Sequence, residues 1–587
     1  MKTLNFLKLP LVLVLLLLPS ASFAQNVAYP PHTVPSKPKA RVPRITIKHR
    51  ERHASSRIAI PYLKGIVIVS SVKDFKPKGV SFKGVSISGL PILNTPSFIN
   101  YIESRLNKPL TFNGIQGITR NIDNIYKSHG LPFMDAIVPP QNVSRGTLQV
   151  VVVQYKVSRI TVSGNKWFSD NYILSFSGIA KGEALSEASL ASGMDWLNSN
   201  PFIHADAILS PGVNPGDMDV KLLTKDVMPL RIFAGYDNQG IPSLGINEWD
   251  LGFNYGNLFG SGQMLSYEYA QSFSTRYRAQ SLSYEIPFSW KGRVELLGSY
   301  ATASPHMDSH FNELGRNSQV SLYYKQGLPY YIHNGFVIKQ TVGLGYDFKT
   351  TNNNLVFGGV QVFQGVAQID QFPVFYSFFE KDPYGMISLA NRFVLSPGDF
   401  NADNSDASFN SIYPDTRSKY EYDNLNLSRL EYLPFGFSFY SSADFQAASR
   451  NLIYTEQLAA GGLYTVQGYL TDTATGSRGV ILREELNLPP VNIAPVFQGT
   501  VPAYRNAPLP VSLGLFWTYA DLSSVNNVSA STGLPDTSVL ESVGPELKMD
   551  IKGYLSLDFA LGWRLRHLPY GSYGKGLFED VVVTLSI

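Results

Sequence analysis

The chain of 587 residues contains no cysteine, which excludes a disulfide framework and thiolate chemistry. Charged residues make up only 16% of the chain, and a formal net charge of +4 is too small at this length to indicate a nucleic-acid partner. Beyond the N-terminus, no apolar run reaches the roughly 18 residues that a membrane-spanning helix requires. These features disfavour a disulfide-rich domain, a nucleic-acid binder and an inner-membrane helical bundle.

Motifs of common enzyme classes are also missing from the sequence. It has no glycine-rich phosphate loop with its lysine, no Gly-x-Ser-x-Gly nucleophile turn and no His-Glu-x-x-His helix. The sequence therefore predicts no enzymatic activity, no cofactor, no metal site and no small-molecule substrate.

The chain is rich in aromatic residues, and parts of it alternate apolar and polar residues as β-strands do. It contains 33 Tyr and 35 Phe, and three long stretches, Leu555 to Leu565, Phe336 to Phe348 and Phe435 to Phe445, alternate large apolar residues with small or polar ones. Each stretch carries charge on its polar face, at Asp558, Asp347 and Asp444 respectively. Because lipid contacts one face of a membrane strand and water or a plug contacts the other, this pattern predicts a transmembrane antiparallel β-barrel.

The N-terminal region resembles an export signal followed by an irregular extension. Lys2 and Lys8 precede the apolar stretch Leu9 to Leu18, and small residues follow, which predicts a signal peptide at residues 1–24. Export together with lipid-facing strands places the protein in a bacterial outer membrane. Residues 25–65 are basic and proline-punctuated, and we expect the proline-free stretch Arg44 to Ile60 to form a short basic helix.

Two small α/β units are predicted before the barrel, at residues 66–155 and 156–228. The first has helical spacing over Phe98 to Leu106 and Ile115 to His129 and a buried strand over Leu148 to Val153. The second has a helix from Ser186 to Leu197, followed by a strand at Val220 to Leu223. The barrel then occupies residues 229–587, and at roughly 22 residues per strand with its connection we expect about 16 strands.

Several stretches resemble a known family. Tyr126 to Gly130, Pro139 to Val143 and Ile160 to Asn165 look like the paired POTRA domains of two-partner secretion transporters, the haemolysin secretion/activation family of the outer-membrane POTRA-barrel superfamily. Gly235 to Gly240 resembles the first barrel strand of that family, and Asn257 to Gly262 resembles its next hairpin. The resemblance implies a type Vb translocator whose periplasmic POTRA domains recognise an unfolded secreted exoprotein, which then passes through the barrel.

The resemblance also implies an N-terminal helix that occupies the barrel lumen as a plug, for which Arg44 to Ile60 is the candidate segment, and a functional loop. The stretch Thr465-Val466-Gln467-Gly468-Tyr469 resembles the family's loop tip, in which Val-Arg-Gly-Tyr folds back inside the barrel. The family's arginine pairs with an aspartate in a Phe-x-Asp motif on the inner wall. Here the arginine position is Gln467, and the wall motif matches Phe516-Trp517-Thr518, with Thr518 at the aspartate position.

Both partners of that charged pair have changed, which suggests compensation. Losing only one partner would leave an uncompensated buried charge, whereas an amide and a hydroxyl can hydrogen-bond without that cost. We therefore expect Gln467 and Thr518 to form a neutral replacement pair. Arg478 and Asp521 lie close to the two motifs in sequence and are candidates for a separate lumen network.

Two other functions remain open from the sequence. One is an assembly factor of the same superfamily that inserts barrels, although such proteins more often have three or more POTRA domains. The other is a passive porin-like channel, which would leave the two α/β units without a role. Outer-membrane lipid is an expected partner in each case.

Overall fold

The computed structural model describes residues 45–47, 55–129, 131–214, 216–305, 311–333, 335–357, 360–492, 509–529, 535–551, 554–566 and 576–586. The predicted signal peptide lies outside the described residues. Within the described residues, no helix is both long enough and apolar enough to cross a membrane.

The first α/β unit (residues 55–155) is a mixed sheet packed against two helices. Strands β3, β4 and β7 pair in parallel and β6 pairs antiparallel with β7, in the order β4-β3-β7-β6. The elements up to residue 154 are β1 Ile45–Ile47, β2 Ile58–Ile60, β3 Gly65–Val69, β4 Gly84–Ser88, α1 Pro96–Glu103, β5 Leu110–Thr111, α2 Phe112–Ser128, β6 Met134–Ile137 and β7 Thr147–Gln154. The predicted second helix begins earlier than expected, because the Thr111 side chain accepts a hydrogen bond from Gly114 N–H and caps it there.

The second α/β unit (residues 156–228) repeats this architecture. Its elements are β8 Lys156–Ser163, α3 Asp170–Ser177, α4 Glu187–Leu197, β9 Ile203–Pro211 and β10 Asp217–Asp226. Ser186 caps α4 as its sequence position indicated. Helix α3 was not predicted from the sequence, although Ser169 caps its start and Gly178, in the left-handed region at φ 63°, ends it.

The predicted plug helix over Arg44 to Ile60 is wrong in its described part. Residues 48–54 lie outside the described residues, but Ile45–Ile47 and Ile58–Ile60 are both strands. The β-branched sequence Ile-Thr-Ile favours an extended backbone. Strand β1 pairs in parallel with the edge strand β9 of the second unit, over Ile45↔Ala207 to Ile47↔Leu209.

The described residues from 230 onward form a closed antiparallel barrel of 16 main strands, which confirms the predicted fold class. The elements are β11 Leu230–Asp237, β12 Glu248–Leu258, β13 Gln263–Ser272, β14 Tyr277–Pro287, β15 Gly292–Ala303, β16 Phe311–Gly327, β17 Tyr331–His333, β18 Phe336–Phe357, β19 Val360–Lys381, β20 Gly385–Ser396, α5 Asp406–Ile412, β21 Tyr420–Tyr432, β22 Ser438–Ala448, β23 Leu458–Ala460, β24 Ala474–Gly476, β25 Arg478–Asn487, β26 Val491–Asn492, β27 Pro510–Ser523, β28 Thr537–Ile551, β29 Leu555–Arg564 and β30 Leu577–Ser586. Strands β17 and β26 are short additions to the wall, and β23 and β24 pair with each other. The barrel closes where β11 pairs with β30.

The alternation read from the sequence separates the two faces of the wall. On β18, Leu344 is 63% exposed on the outer face, whereas Asp347 on the inner face is fully buried. One predicted run begins too early: Phe435 lies in a turn at φ 60° after Pro434, and the strand starts only at Ser438. The 3-10 turn Pro434–Gly436 connects β21 to β22, and a residue at positive φ cannot continue an extended strand.

Candidate functional site: the loop inside the barrel

The segment between β22 and β25, residues 449–477 (the lumen loop), folds into the barrel interior. Its hairpin strands β23 and β24 pair antiparallel. Val466, Gln467 and Tyr469 at the tip are each fully buried. The structure therefore places the predicted motif, Thr465 to Tyr469, against the inner wall.

Glycine permits the closest approach of the loop to the wall. Gly468 has φ 84°, a conformation that L-residues rarely adopt. A Cβ atom at this position would lie 2.8 Å from backbone atoms of Gly562 on β29. No larger residue fits between these two backbone segments without moving one of them.

Main-chain groups of the tip make its shortest polar contacts. The N–H of Gly468 donates to Asp580 Oδ2 on β30 at 2.7 Å, and Ser542 Oγ on β28 donates to the carbonyl of Gln467 at 2.5 Å. Further along, the N–H of Leu463 donates to Gln239 Oε1 at 2.7 Å. The tip is therefore attached to the wall near the closing pair of strands through its own main chain and not through a charged side chain of the loop.

Tyr469 fills the space behind the tip. Its hydroxyl lies 2.9 Å from the carbonyl of Arg566 and 3.2 Å from that of Glu541. The guanidinium of Arg564 lies 5.9 Å from the centre of the Tyr469 ring, within the range of a cation–π contact. Ring and hydroxyl together attach the loop to β28 and to the end of β29.

Gln467 and Thr518 do not hydrogen-bond directly, which differs from the expected replacement pair. The Gln467 amide Nε2 lies 3.4 Å from Glu546 Oε2, while its Oε1 is buried without a hydrogen-bond partner among the described residues. Thr518 Oγ1 instead lies 2.7 Å from Ser542 Oγ. Because Ser542 also contacts the Gln467 carbonyl, it connects the two positions through the loop backbone.

A charged cluster that the sequence analysis missed surrounds the Gln467 amide. Arg483 on β25 contacts Glu485 and lies 3.2 Å from Glu546 on β28. Lys548 lies 2.9 Å from each of these two carboxylates. Two cations and two carboxylates thus balance on the inner wall. The sequence does contain a signal for this cluster. Arg483 and Glu485 on β25, and Glu546 and Lys548 on β28, are each two positions apart, and residues at that spacing share one face of a strand.

Arg478 and Asp521 do not belong to this cluster. Arg478 is exposed and donates to Ser523 Oγ at 3.1 Å. Asp521 is an odd number of positions from the inward-facing Thr518, so its side chain points to the other face of β27. Arg478 lies opposite Ser523 in the register of β25 with β27, and Ser523 is also an odd number of positions from Thr518. Both Arg478 and Asp521 therefore lie outside the lumen network.

A cavity of about 850 Å³ remains beside the lumen loop. Asp444 and Asp558, predicted to face the interior, line it together with Arg392. Leu463, Tyr464 and Thr465 of the loop form part of its boundary. The loop therefore narrows the barrel interior without filling it.

Comparisons with known proteins identify the family. A family model of the haemolysin secretion/activation proteins ShlB/FhaC/HecB matches residues 216–504, and a ShlB-type POTRA domain model matches residues 80–154. The chain belongs to this family of two-partner secretion transporters. As a two-partner secretion transporter it is an outer-membrane protein translocator with periplasmic POTRA domains, and transporters of this family work with secreted exoproteins.

Individual relatives of this two-partner secretion transporter are distant but extensive. The heme/hemopexin transporter protein HuxB of Haemophilus influenzae is 20% identical over 480 residues, which is 80% of each chain. The outer membrane transporter CdiB of Dickeya dadantii is 23% identical over 398 residues, covering 65% of this chain and 67% of that protein.

Solved structures show the shared fold. CdiB from Escherichia coli superposes with a TM-score of 0.68 at 18% identity, covering 92% of this chain and 93% of that one. CdiB from Acinetobacter baumannii gives a TM-score of 0.59 at 13% identity, covering 91% of each chain.

Proposed function

We propose that this two-partner secretion transporter captures an unfolded exoprotein at the sheet edges of its POTRA domains and passes it through the barrel when the lumen loop moves aside. The proposal keeps the division into an extension (25–65), two POTRA domains (66–155 and 156–228) and a barrel (229–587). It assigns no catalytic step, nucleic acid or small-molecule substrate. Outer-membrane lipid is the second partner, because outward side chains such as Leu344 and Trp563 are apolar and exposed.

The observation that carries the proposal is the docking of the second α/β unit on the barrel. Trp196 Nε1 donates to the carbonyl of Phe288 at 2.9 Å, and Asn200 donates to the carbonyl of Gly256 at 2.6 Å. Asp195 accepts from Lys339 at 2.8 Å. These contacts involve three neighbouring hairpins at the end of the barrel where β11 enters, so a chain bound to this unit lies next to the barrel opening.

An edge strand of the second unit supports capture by strand pairing. Adding an extended segment to a sheet edge gives affinity through backbone hydrogen bonds with little demand on sequence. In the structure the β9 edge is already paired with β1, but only over Ile45 to Ile47. Because β1 is so short, an incoming extended segment of the exoprotein can displace it from the β9 edge.

The test is binding of an unfolded N-terminal region, taken from a large exoprotein encoded in the same genome, to the full-length transporter in detergent. Saturable binding that tightens when Thr46→Pro weakens the β1 pairing is the expected result. Ser81→Pro, at an exposed position outside any helix or strand, serves as the control and should leave binding unchanged.

Three outcomes would contradict parts of the proposal. Preferential binding of unfolded barrel precursors would indicate an assembly factor, and binding of neither ligand would indicate a passive channel. Binding that Thr46→Pro leaves unchanged would show that the exoprotein uses another surface.

A further inference from the structure

The root of the lumen loop is held by a buried ionic contact that lies outside the loop motif. Glu456 ends a short 3-10 turn, Tyr454–Glu456, and is 2% exposed. One of its carboxylate oxygens accepts from Lys349 Nζ on β18 at 2.6 Å. The other accepts from the Tyr422 hydroxyl at 2.9 Å and from the Gln371 amide at 3.0 Å. All three donors belong to barrel strands, so Glu456 attaches the loop root directly to the wall.

These donors belong to a larger buried network with balanced charge. Asp347 accepts from Arg392 at 2.7 Å, from Gln371 at 3.0 Å and from Ser321 at 2.6 Å. Two carboxylates, Asp347 and Glu456, thus face two cations, Lys349 and Arg392. Because all four groups are paired, removing one partner leaves its counterpart as an uncompensated charge inside the barrel.

The contacts at the tip of the loop are different in kind. The Gln467 amide is 3.4 Å from Glu546 and its oxygen is unpartnered among the described residues, while the shorter contacts of Gln467 and Gly468 use main-chain atoms. An ion pair joins two full charges, whereas a carboxylate that accepts from a main-chain N–H is charged on one side only. At the root, a charged side chain of the loop itself, Glu456, forms an ion pair with the wall. At the tip, the carboxylates of Asp580 and Glu546 belong to the wall and meet only a neutral main-chain N–H and a neutral amide of the loop.

We propose that the Lys349–Glu456 ion pair is the anchor that keeps the lumen loop inside the barrel at rest. Glu456 is a positioning residue, because it acts through the loop and not by touching the exported chain. Outward movement of the loop during export requires this pair to separate. The inference rests on the proposed role of the loop as the element that obstructs the lumen.

Two readouts on the full-length protein test the anchor. The first is single-channel conductance in planar bilayers. The second is maleimide labelling of Val466→Cys, a reporter that is fully buried at rest in a chain without other cysteines. We expect Lys349→Met to give about tenfold more time in a high-conductance state, as a modest population shift predicts, and faster labelling.

A matched control is available on the wall. Lys325 pairs with Glu295 at 2.7 Å between β15 and β16, and neither residue contacts the lumen loop in the described structure. Lys325→Met makes the same chemical change and should leave both readouts at the unmodified level. Glu456→Gln should act like Lys349→Met, and the double variant should add nothing further, because both changes remove one contact. Lys349→Arg, which keeps the charge, should restore slow labelling.

Unchanged conductance and labelling in a folded Lys349→Met protein would overturn the proposal, even if its thermal midpoint falls. If that variant does not fold, Glu456→Asp, which shortens the carboxylate arm but keeps its charge, decides by the same readouts. Neither readout needs an exoprotein. A failure of the proposed capture mechanism therefore leaves this result intact, and a failure here leaves the capture measurements intact.

Discussion

Arg483 lies directly opposite Thr518 in the register of β25 and β27. Its guanidinium contacts Glu546, the same carboxylate that the Gln467 amide approaches. The family resemblance associates an arginine with the loop and an aspartate with the Thr518 position. In this chain the nearest positive charge comes from the wall, and the acidic partners are Glu485 and Glu546.

Arg483 is expected to be important for stability. Arg483→Met leaves Glu485 and Glu546 with only Lys548, and removing one member of a buried ion pair costs about 3–5 kcal/mol. The free energy of unfolding in detergent measures the loss. Arg478→Met on the same strand is the control and should cost less than about 1 kcal/mol, because Arg478 is exposed. Equal losses would contradict a structural role for the cluster.

Restoring the family pair tests whether positions 467 and 518 are coupled. Gln467→Arg alone adds a third cation beside Glu546, and Thr518→Asp alone adds a third carboxylate beside a cluster in which two cations already balance two carboxylates, so each should destabilise the barrel. The double variant should recover at least about 1 kcal/mol relative to the sum of the single changes. Thermal unfolding of all four proteins completes the cycle. Strict additivity would show that the two side chains cannot meet across Ser542.

Gly468 is expected to tolerate no side chain. Gly468→Ala combines backbone strain at φ 84° with a 2.8 Å contact to Gly562, so the loop tip must move and single-channel conductance should rise. Gly182→Ala is a matched control: its φ is 86°, but nothing lies within 4 Å of the added Cβ. That control should lose only about 1 kcal/mol of stability from backbone strain, and its conductance should not change. Identical conductance changes in both variants would show that the contact with Gly562 is unimportant.

The hydroxyl of Tyr469 is expected to contribute less than its ring. Tyr469→Phe leaves the carbonyls of Arg566 and Glu541 without this donor, at about 1 kcal/mol, whereas Tyr469→Ala also removes a fully buried ring, at about 3–5 kcal/mol. Thermal unfolding in detergent separates the two. Tyr384→Phe, at a position that is 74% exposed, should have no measurable effect. If the Phe and Ala variants lose the same stability, the ring does not pack as the structure shows.

Patterns with a short period could be predicted from the sequence. The alternation of Phe336 to Phe348 identified which residues of β18 face lipid and which face the interior, because successive strand residues point to opposite sides. The same rule, applied from Thr518, would have excluded Asp521 from the lumen, whereas excluding Arg478 required the register of β25 with β27. The plug helix failed because charge and the absence of proline do not specify a helix against β-branched residues that pair with a neighbouring edge.

The sequence by itself determined a barrel of about 16 strands, the inward face of each predicted run and the position of the loop motif, since these depend on local periodicity and chain length. Only the tertiary structure decided that Gln467 approaches Glu546, that Ser542 stands between Gln467 and Thr518, and that Glu456 pairs with Lys349. Those contacts join residues 24 to 107 positions apart. They depend on how the closed barrel aligns distant strands and how deeply the loop enters, which no local pattern encodes.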